Sequence, residues 1–163
     1  MSNQLPTDYQ SFIHKSRYAK YFDGKGRESW GDTVSRLMAF IDRPVLDTKT
    51  KNQLEQAILG LEVMPSMRAL MTSGPAASRD NTCMYNCSFL PVDDLKSFDE
   101  AMFILLCGTG VGFSVERQFI TKLPDVPQLF QSETNIVVRD SKEGWAKSLR
   151  QLIALLYAGE IPT

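Results

Sequence analysis

The fold is decided by residues 84–115, which read MYNCSFLPVDDLKSFDEAMFILLCGTGVGFSV. The part up to Leu90 is short, carries the aromatic residues Tyr85 and Phe89 at a spacing typical of one strand face, and predicts a strand, Met84 to Leu90. A capping box of Ser97 and Glu100 then predicts a helix that stops at Gly108. The apolar residues of this helix surround its axis, which indicates burial on most sides.

Val111 to Val115 follow the helix and predict a second strand. Asn135 to Arg139 predict a third short strand, after an irregular stretch that contains two prolines. A last helix is predicted to begin at Asp140 or Ser141 and to end at Gly159. The order of strand, buried helix, strand and final helix is typical of a βαβ arrangement.

The sheet that these strands would form is incomplete. Two or three short strands leave apolar edges open. The chain ends at Thr163, shortly after the last helix, and no terminal strand is predicted there. We expect either that another polypeptide completes the sheet or that the fold is smaller than this pattern indicates.

Upstream of this region the sequence predicts helices. Ser29 and Asp32 form an acidic capping box ahead of an apolar stripe that continues to Ile41. A second stripe follows Asp47 and is punctuated by Gly60, so the first 60 residues are predicted to be helical. No repeat or linker divides the chain, which is expected to form one continuous unit of α/β (α+β) class.

Composition and charge exclude several classes of protein. The 163 residues carry 18 Lys and Arg against 19 Asp and Glu, so no positive surplus is available to neutralise a nucleic-acid backbone. The longest apolar run, Ala101 to Cys107, is far shorter than the roughly 18 residues of a membrane-spanning helix. No basic cluster leads into an apolar stretch near the N-terminus, so no secretory signal is predicted. We therefore expect a cytoplasmic protein.

The three cysteines fit thiols that are kept reduced in the cytosol better than a disulfide framework. Cys83 and Cys87 would need two more ligands to hold zinc, and Cys107 and His14 are too scattered to supply them. Cys87 would share a strand face with aromatic residues. This placement favours packing in a core over chemistry, and the same holds more strongly for Cys107 at the end of an apolar helix.

Gly108, Gly110 and Gly112 alternate in the segment after this helix. Such glycines let a backbone approach a ligand closely and expose amide donors. The segment follows a helix and precedes a strand, the reverse of a dinucleotide-binding turn, and it lacks the Lys-Ser/Thr of a P-loop. A tight helix-to-strand turn is an equally good interpretation.

Two other segments have a structural and a functional interpretation. Residues 64–68 offer a hydroxyl, backbone amides after a proline, and a guanidinium that could together hold a phosphate, but Ser66 could simply cap a short helix. The start of the last helix, Asp140 to Trp145, predicts a cap followed by a core tryptophan, which requires no function.

Four segments carry a family resemblance when they are taken in order. They are Glu62–Arg68 (EVMPSMR), Asn81–Phe89 (NTCMYNCSF), Cys107–Val115 (CGTGVGFSV) and Asp140–Trp145 (DSKEGW). With them the chain resembles the N-terminal part of class II, adenosylcobalamin-dependent ribonucleoside-triphosphate reductases, especially the single-chain type of cyanobacteria, some lactobacilli and phages. The resemblance implies an N-terminal helical region, residues 1–62, followed by the start of a ten-stranded α/β barrel, residues 63–163, which is incomplete in this chain.

The resemblance also implies a reaction and a set of site residues. Enzymes of this family reduce the 2′-carbon of a ribonucleotide by thiyl-radical chemistry, while two further cysteines supply the electrons and become a disulfide. Cys87 matches one of that reducing pair. Ser66 matches a position that helps to hold the substrate phosphate. The remaining positions implied for the substrate site are Asn86, Gly108, Gly110 and Gly112.

Several parts of such an enzyme are absent from the sequence. The family's radical cysteine lies in an Asn-x-Cys-x-Glu segment, and Asn81-x-Cys83 is followed by Tyr85 instead of glutamate. We therefore expect the N-terminal fragment of a split reductase, inactive alone. Its expected partners are a second chain that carries the C-terminal portion and most of the adenosylcobalamin site, and a thioredoxin-type reductant. A non-catalytic nucleotide-binding or regulatory module and a structural remnant are the alternatives.

Overall fold

The structure is a computed structural model that describes residues 5–42 and 44–163. It divides into two compact units, Met1–Tyr85 and Asn86–Thr163, where the sequence predicts one continuous unit. This division lies later in the chain than the predicted start of the barrel region at residue 63. The predicted regions 1–62 and 63–163 stay predictions, and residues 1–4 and 43 of the first lie outside the described residues.

The first unit is mainly helical. Its elements in chain order are α1 (Asp8–Ile13), a π-helix (His14–Tyr18), β1 (Tyr21–Phe22), β2 (Gly26–Arg27), α2 (Trp30–Ile41), α3 (Thr48–Leu59), α4 (Met67–Thr72), α5 (Pro75–Arg79) and a 3₁₀ turn (Asn81–Met84). The antiparallel hairpin of β1 and β2 corrects the prediction of an entirely helical start. Gly24 and Gly26 have positive φ there, so the turn depends on glycine.

The two predicted helices of this unit are confirmed. Ser29 and Asp32 cap α2 reciprocally, side chain to backbone, as the capping box requires. The Asp47 side chain caps α3 by accepting from the Thr50 amide, and Gly60 ends the helix. Both predictions succeed because a cap and an apolar stripe are properties of a few neighbouring residues.

The core of the first unit lies where α2, α3 and α4 meet. The side chains buried there are Trp30, Val34, Leu37, Ile58 and Leu70. The indole nitrogen of Trp30 donates a hydrogen bond to the Leu59 carbonyl at 3.2 Å, which satisfies the polar atom of the largest core residue.

The second unit contains the predicted βαβ arrangement. Its elements are β3 (Cys87–Pro91), α6 (Lys96–Leu106), β4 (Gly110–Ser114), α7 (Arg117–Ile120), β5 (Phe130–Gln131), α8 (Lys142–Tyr157) and β6 (Glu160–Ile161). β3 and β4 pair in parallel, with Cys87 opposite Gly110 and Phe89 opposite Gly112, and α6 is the crossover between them. The last helix is confirmed, with Ser141 as its N-cap.

Four predictions for this unit are wrong in detail. The β3 strand begins three residues after Met84, because a 3₁₀ turn occupies Asn81–Met84. Ser97 caps nothing and instead donates its hydroxyl to the Pro91 carbonyl at 3.0 Å, inside a helix that has already begun. Residues 135–139 form no strand. A terminal strand, β6, exists and pairs in parallel with β5.

The second unit buries few apolar side chains. Within its described residues the buried ones are Val92, Cys107 and Ala146, all small or medium in size. The expectation that α6 is buried on most sides is wrong, since Leu105 and Leu106 are exposed. The sheets of the described residues have two strands each, and the ten-stranded barrel stays a prediction.

None of the helices in residues 5–42 and 44–163 is long and apolar enough to cross a membrane.

Candidate functional site

The candidate site is the exposed face of the β3–β4 pair. Side chains alternate between the two faces of a strand, so Cys87 and Phe89 lie on one face together with Gly110 and Gly112 of the neighbouring strand. All four residues are exposed. Packing of Cys87 in the core of this chain, one of the two interpretations of the sequence, is therefore wrong.

The three alternating glycines have different structural reasons. Gly108 follows the end of α6 with φ of +83°, a conformation that side chains disfavour, so the helix-to-strand turn itself requires glycine. A Cβ at Gly110 would come no closer than 3.5 Å to its nearest neighbour, the Asn86 carbonyl oxygen. A Cβ at Gly112 would meet the Ser88 carbonyl oxygen at 3.7 Å. These are ordinary contacts, so packing within the described chain does not require glycine at either position.

Asn86 lies at the edge of this face and helps to fix it. Its carbonyl oxygen accepts a hydrogen bond from the Gly110 amide at 2.9 Å, which joins the start of β3 to the start of β4. The Ser88 hydroxyl donates to the Gly110 carbonyl at 3.3 Å. The structure therefore brings together Cys87, Asn86, Gly110 and Gly112, and their role in a substrate site stays a prediction.

Ser66 belongs to the first unit. It stands at the N-cap position of α4, but its hydroxyl makes no capping hydrogen bond, and the residue is exposed. The interpretation that its side chain simply caps a helix is therefore wrong for the hydroxyl group, which is available for another contact.

The other two cysteines lie in different surroundings. The Cys83 thiol donates to the Asp80 carbonyl at 3.2 Å. Cys107 is buried at the end of α6, which confirms the prediction of packing. Its sulfur accepts a hydrogen bond from the Lys142 ammonium at 3.3 Å. The two residues are 35 positions apart in the sequence, so no local pattern reveals this contact. Trp145, predicted to be a core residue, is 48% exposed.

No group of three or more His, Cys, Asp or Glu side chains in the described parts of the chain is placed to hold a metal ion.

A buried polar cluster in the first unit was not predicted from the sequence. The Glu28 carboxylate accepts from Arg36 at 2.7 and 2.8 Å and from the Thr33 hydroxyl at 3.0 Å. Because that hydroxyl gives its hydrogen to Glu28, His14 Nε2 at 2.8 Å must be the donor to the threonine oxygen. The residues around position 28 are mostly charged residues and glycines, which gave no sign that these groups are buried.

The pKa shifts of this cluster follow from burial and pairing. Burial alone would raise the pKa of Glu28, but the hydrogen bonds it accepts, above all from Arg36, outweigh burial and lower it. Burial lowers the pKa of His14 and favours the neutral ring. Burial, reinforced by the nearby Arg36, also lowers the pKa of Lys20. The cluster therefore favours an ionised Glu28 beside a neutral His14.

The chain is similar to a set of curated enzymes. It is 29% identical over 172 aligned residues to the adenosylcobalamin-dependent ribonucleoside-triphosphate reductase of Lactobacillus delbrueckii subsp. bulgaricus. It is 28% identical to the enzymes of the same name from Lactobacillus leichmannii and Lacticaseibacillus paracasei. Each alignment covers 84% of this chain but 23% of the relative.

No protein-family model and no solved structure matches the chain. The similarity to the curated enzymes supports the resemblance stated from the four sequence segments, although it does not identify the subtype. Over most of its length the chain is weakly homologous to adenosylcobalamin-dependent ribonucleoside-triphosphate reductases, and it spans about a quarter of their length.

Proposed function

We propose that this chain is one part of a ribonucleoside-triphosphate reductase and that a second polypeptide supplies the rest of the enzyme. The homology supports the reaction class, and the chain aligns with 23% of the relatives' length. The exposed β3–β4 face is the observation that carries the proposal. It presents Cys87 beside two glycines that packing within the described chain does not require.

In this proposal Cys87 is one of two reducing thiols. The 2′-carbon of the ribose loses its hydroxyl group as water and gains a hydrogen, while two thiols give up two electrons and two protons and join in a disulfide. The second thiol comes from the complementing polypeptide. A thioredoxin-type reductant afterwards restores both thiols. Exposure of Cys87 on this face is required for the reduction step, because the thiol must reach the substrate and its partner sulfur.

The substrate would lie over Gly110 and Gly112, where the absence of side chains lets the ribose approach the backbone. Asn86 borders the same face and holds β3 against β4. Gly108 shapes the turn that leads into β4. For Ser66, which belongs to the first unit, contact with the substrate phosphate is what the family resemblance implies, and its exposed hydroxyl makes no capping bond that would prevent such a contact.

Among the described residues, the β3–β4 face does not form a closed cradle for adenosylcobalamin, since Cys87, Phe89, Gly110 and Gly112 are all exposed. Radical chemistry needs a closed pocket that excludes water and competing reactants. We therefore assign the cofactor and the radical step to the complementing polypeptide, consistent with the missing Asn-x-Cys-x-Glu segment.

The experiment mixes this chain with a polypeptide that carries the complementary part of a reductase, adenosylcobalamin and a dithiol reductant, and measures formation of deoxynucleotide. Turnover is expected from the mixture and not from this chain alone. Cys87→Ser should lower the rate by about 1000-fold or more. Cys83→Ser is the matched control, four residues away, and should leave the rate within about threefold of wild type. Full activity of Cys87→Ser would refute the assigned role.

A further inference from the structure

A second candidate site lies in the second unit, between α6 and α8. The groove there has a volume of about 490 Å³ and is lined mainly by Asp99, Glu100, Phe103, Glu143, Lys147 and Arg150. Three of these side chains are carboxylates and two are cations, so the groove has an excess of negative charge. No part of the proposed reductase chemistry uses these residues.

Asp99 is the unusual member of this groove. The residue is 3% exposed, so its carboxylate is buried where α6 meets α8. Arg150 donates from Nε at 2.9 Å and from Nη2 at 2.6 Å, but both bonds reach the same oxygen, Oδ2. Among the described residues, nothing donates a hydrogen bond to the other oxygen, Oδ1.

This pairing differs from the usual arrangement of the two groups. Arginine and a carboxylate commonly form two parallel hydrogen bonds, one to each oxygen. Here Arg150 uses two donors on one oxygen and leaves the second oxygen of Asp99 without a partner. A buried oxygen of a carboxylate without a donor is costly, and such groups are rare in folded proteins. Oδ1 of Asp99 can therefore accept a hydrogen bond from a second donor.

The lining of the groove indicates the chemistry of that donor. A primary ammonium group has three N–H donors around a compact positive charge, and three carboxylates line the groove: Asp99, Glu100 and Glu143. Phe103 and Ala146 provide apolar surface beside them, on which a short hydrocarbon chain can pack. A neutral donor would leave the excess negative charge uncompensated.

We propose that this groove binds a small primary alkylammonium ion, with its N–H donating to Oδ1 of Asp99 and its hydrocarbon part against Phe103. Asp99 has little accessible surface, so the ligand reaches it when a side chain at the rim changes rotamer. The Lys147 side chain also lines the groove and is exposed, so it has room for such a change while Arg150 keeps its two bonds to Oδ2. The proposal is independent of the proposed reductase function.

The test uses the full chain and follows its backbone amide signals by NMR during titration with butylammonium chloride at pH 7. Saturable shifts are expected at residues of α6 and α8 that line the groove. Tetramethylammonium carries the same charge without an N–H, and 1-butanol carries the same hydrocarbon chain without a charge. Neither should produce saturable shifts there. Equal binding of tetramethylammonium would overturn the hydrogen-bonded site.

Variants locate the binding site. Asp99→Asn should weaken butylammonium binding by about tenfold or more. Asp93→Asn is the matched control, because Asp93 is also an ion-paired aspartate, bonded to Lys122 at 3.0 Å outside this groove, and it should leave binding unchanged. Glu143 is exposed, so Glu143→Gln keeps the test valid if Asp99→Asn fails to fold. Glu143→Gln should weaken binding by about two- to fivefold, and an unchanged affinity in that variant would overturn the proposal.

Discussion

The two compact units differ in how far they bury their large apolar side chains. The first buries Trp30, Leu37, Ile58 and Leu70 around a shared core and encloses a paired network of charged groups. In the second, Phe89 and Phe113 of the sheet are more than 60% exposed. Parallel sheets are normally covered on both faces. The comparison teaches that the first unit encloses a shared apolar core, whereas the second leaves aromatic side chains of its sheet exposed, as the proposed complementing polypeptide would require.

The strongest test of this difference removes one leucine from each unit. Leu37→Ala should lower the free energy of unfolding of the first unit by about 3 kcal/mol, because it leaves a cavity in a closed core. Leu105→Ala removes a side chain that is 56% exposed and should change the stability of the second unit by less than about 0.5 kcal/mol. Urea unfolding measures both changes.

The two tryptophans make this measurement selective. Trp30 lies in the core of the first unit, and Trp145 lies in the second. In a Trp145→Phe background, tryptophan fluorescence therefore reports the first unit alone. Equal losses of stability for Leu37→Ala and Leu105→Ala would contradict the distinction between a closed and an open unit.

A second, smaller effect should come from the charged network of the first unit. Glu28→Gln should cost about 2 kcal/mol at pH 7, because it weakens charge-assisted hydrogen bonds from Arg36 in a buried site. The pKa of Glu28 in the folded chain lies below its usual 4.5. Its contribution is therefore complete above pH 4.5 and is lost as the pH falls through the lowered pKa.

Urea unfolding of the Trp145→Phe chain between pH 7 and pH 3 measures this contribution. The wild-type network should lose stability with acid more steeply than Glu28→Gln. Glu62→Gln, at an exposed position of the same unit, serves as the control and should follow the wild-type curve. A Glu28→Gln curve parallel to that of wild type would show that the carboxylate does not stabilise the fold through its charge.

The smallest predicted change in stability distinguishes Gly108, which the fold needs, from Gly110, which it does not. Gly108→Ala should destabilise the second unit by about 1 kcal/mol because of its positive φ. Gly110→Ala should be neutral or should stabilise the strand by up to about 0.5 kcal/mol. Hydrogen exchange of the Val92 amide, which donates to the Ser114 carbonyl at 2.9 Å, reports the stability of the β3–β4 region.

The same pair of variants links stability to activity. In the reconstituted reductase, Gly110→Ala should lower the rate although it does not weaken the fold, because a methyl group would occupy space assigned to the ribose. A fully active Gly110→Ala enzyme would remove the functional reason for that glycine.

Sequence reasoning succeeded where the signal was local. The Ser29 and Asp47 caps each depend on a few neighbouring residues. The β3–α6–β4 order follows from the change in spacing of apolar residues between strand and helix. It failed at the local Ser97–Glu100 capping box, because the Ser97 hydroxyl bonds to the Pro91 carbonyl instead of capping α6. It also failed where the pairing of strands decides the outcome. Residues 135–139 are rich in β-branched residues, yet they form no strand, since β-propensity acts through neighbouring strands and Val137 remains 85% exposed.

The candidate site was only partly accessible to the same reasoning. Cys87 and the glycines were found through their resemblance to a family, and the parallel register then placed them on one face. Asp99 was overlooked, although an acidic residue three and four positions before Met102 and Phe103 lies on the same side of a helix as those apolar residues. The bond from Arg150 to Asp99 spans two helices and leaves no pattern in the sequence.

The unpaired edges of the two-stranded β3–β4 sheet have a consequence for the synthesis of this chain. Unpaired strand edges with exposed Phe89 and Phe113 can template hydrogen bonding with another copy and so lead to aggregation. The proposed complementing polypeptide would cover these edges, so this chain should benefit from being made at the same time and place as that polypeptide. Expression together with that molecule is therefore the natural route to soluble material.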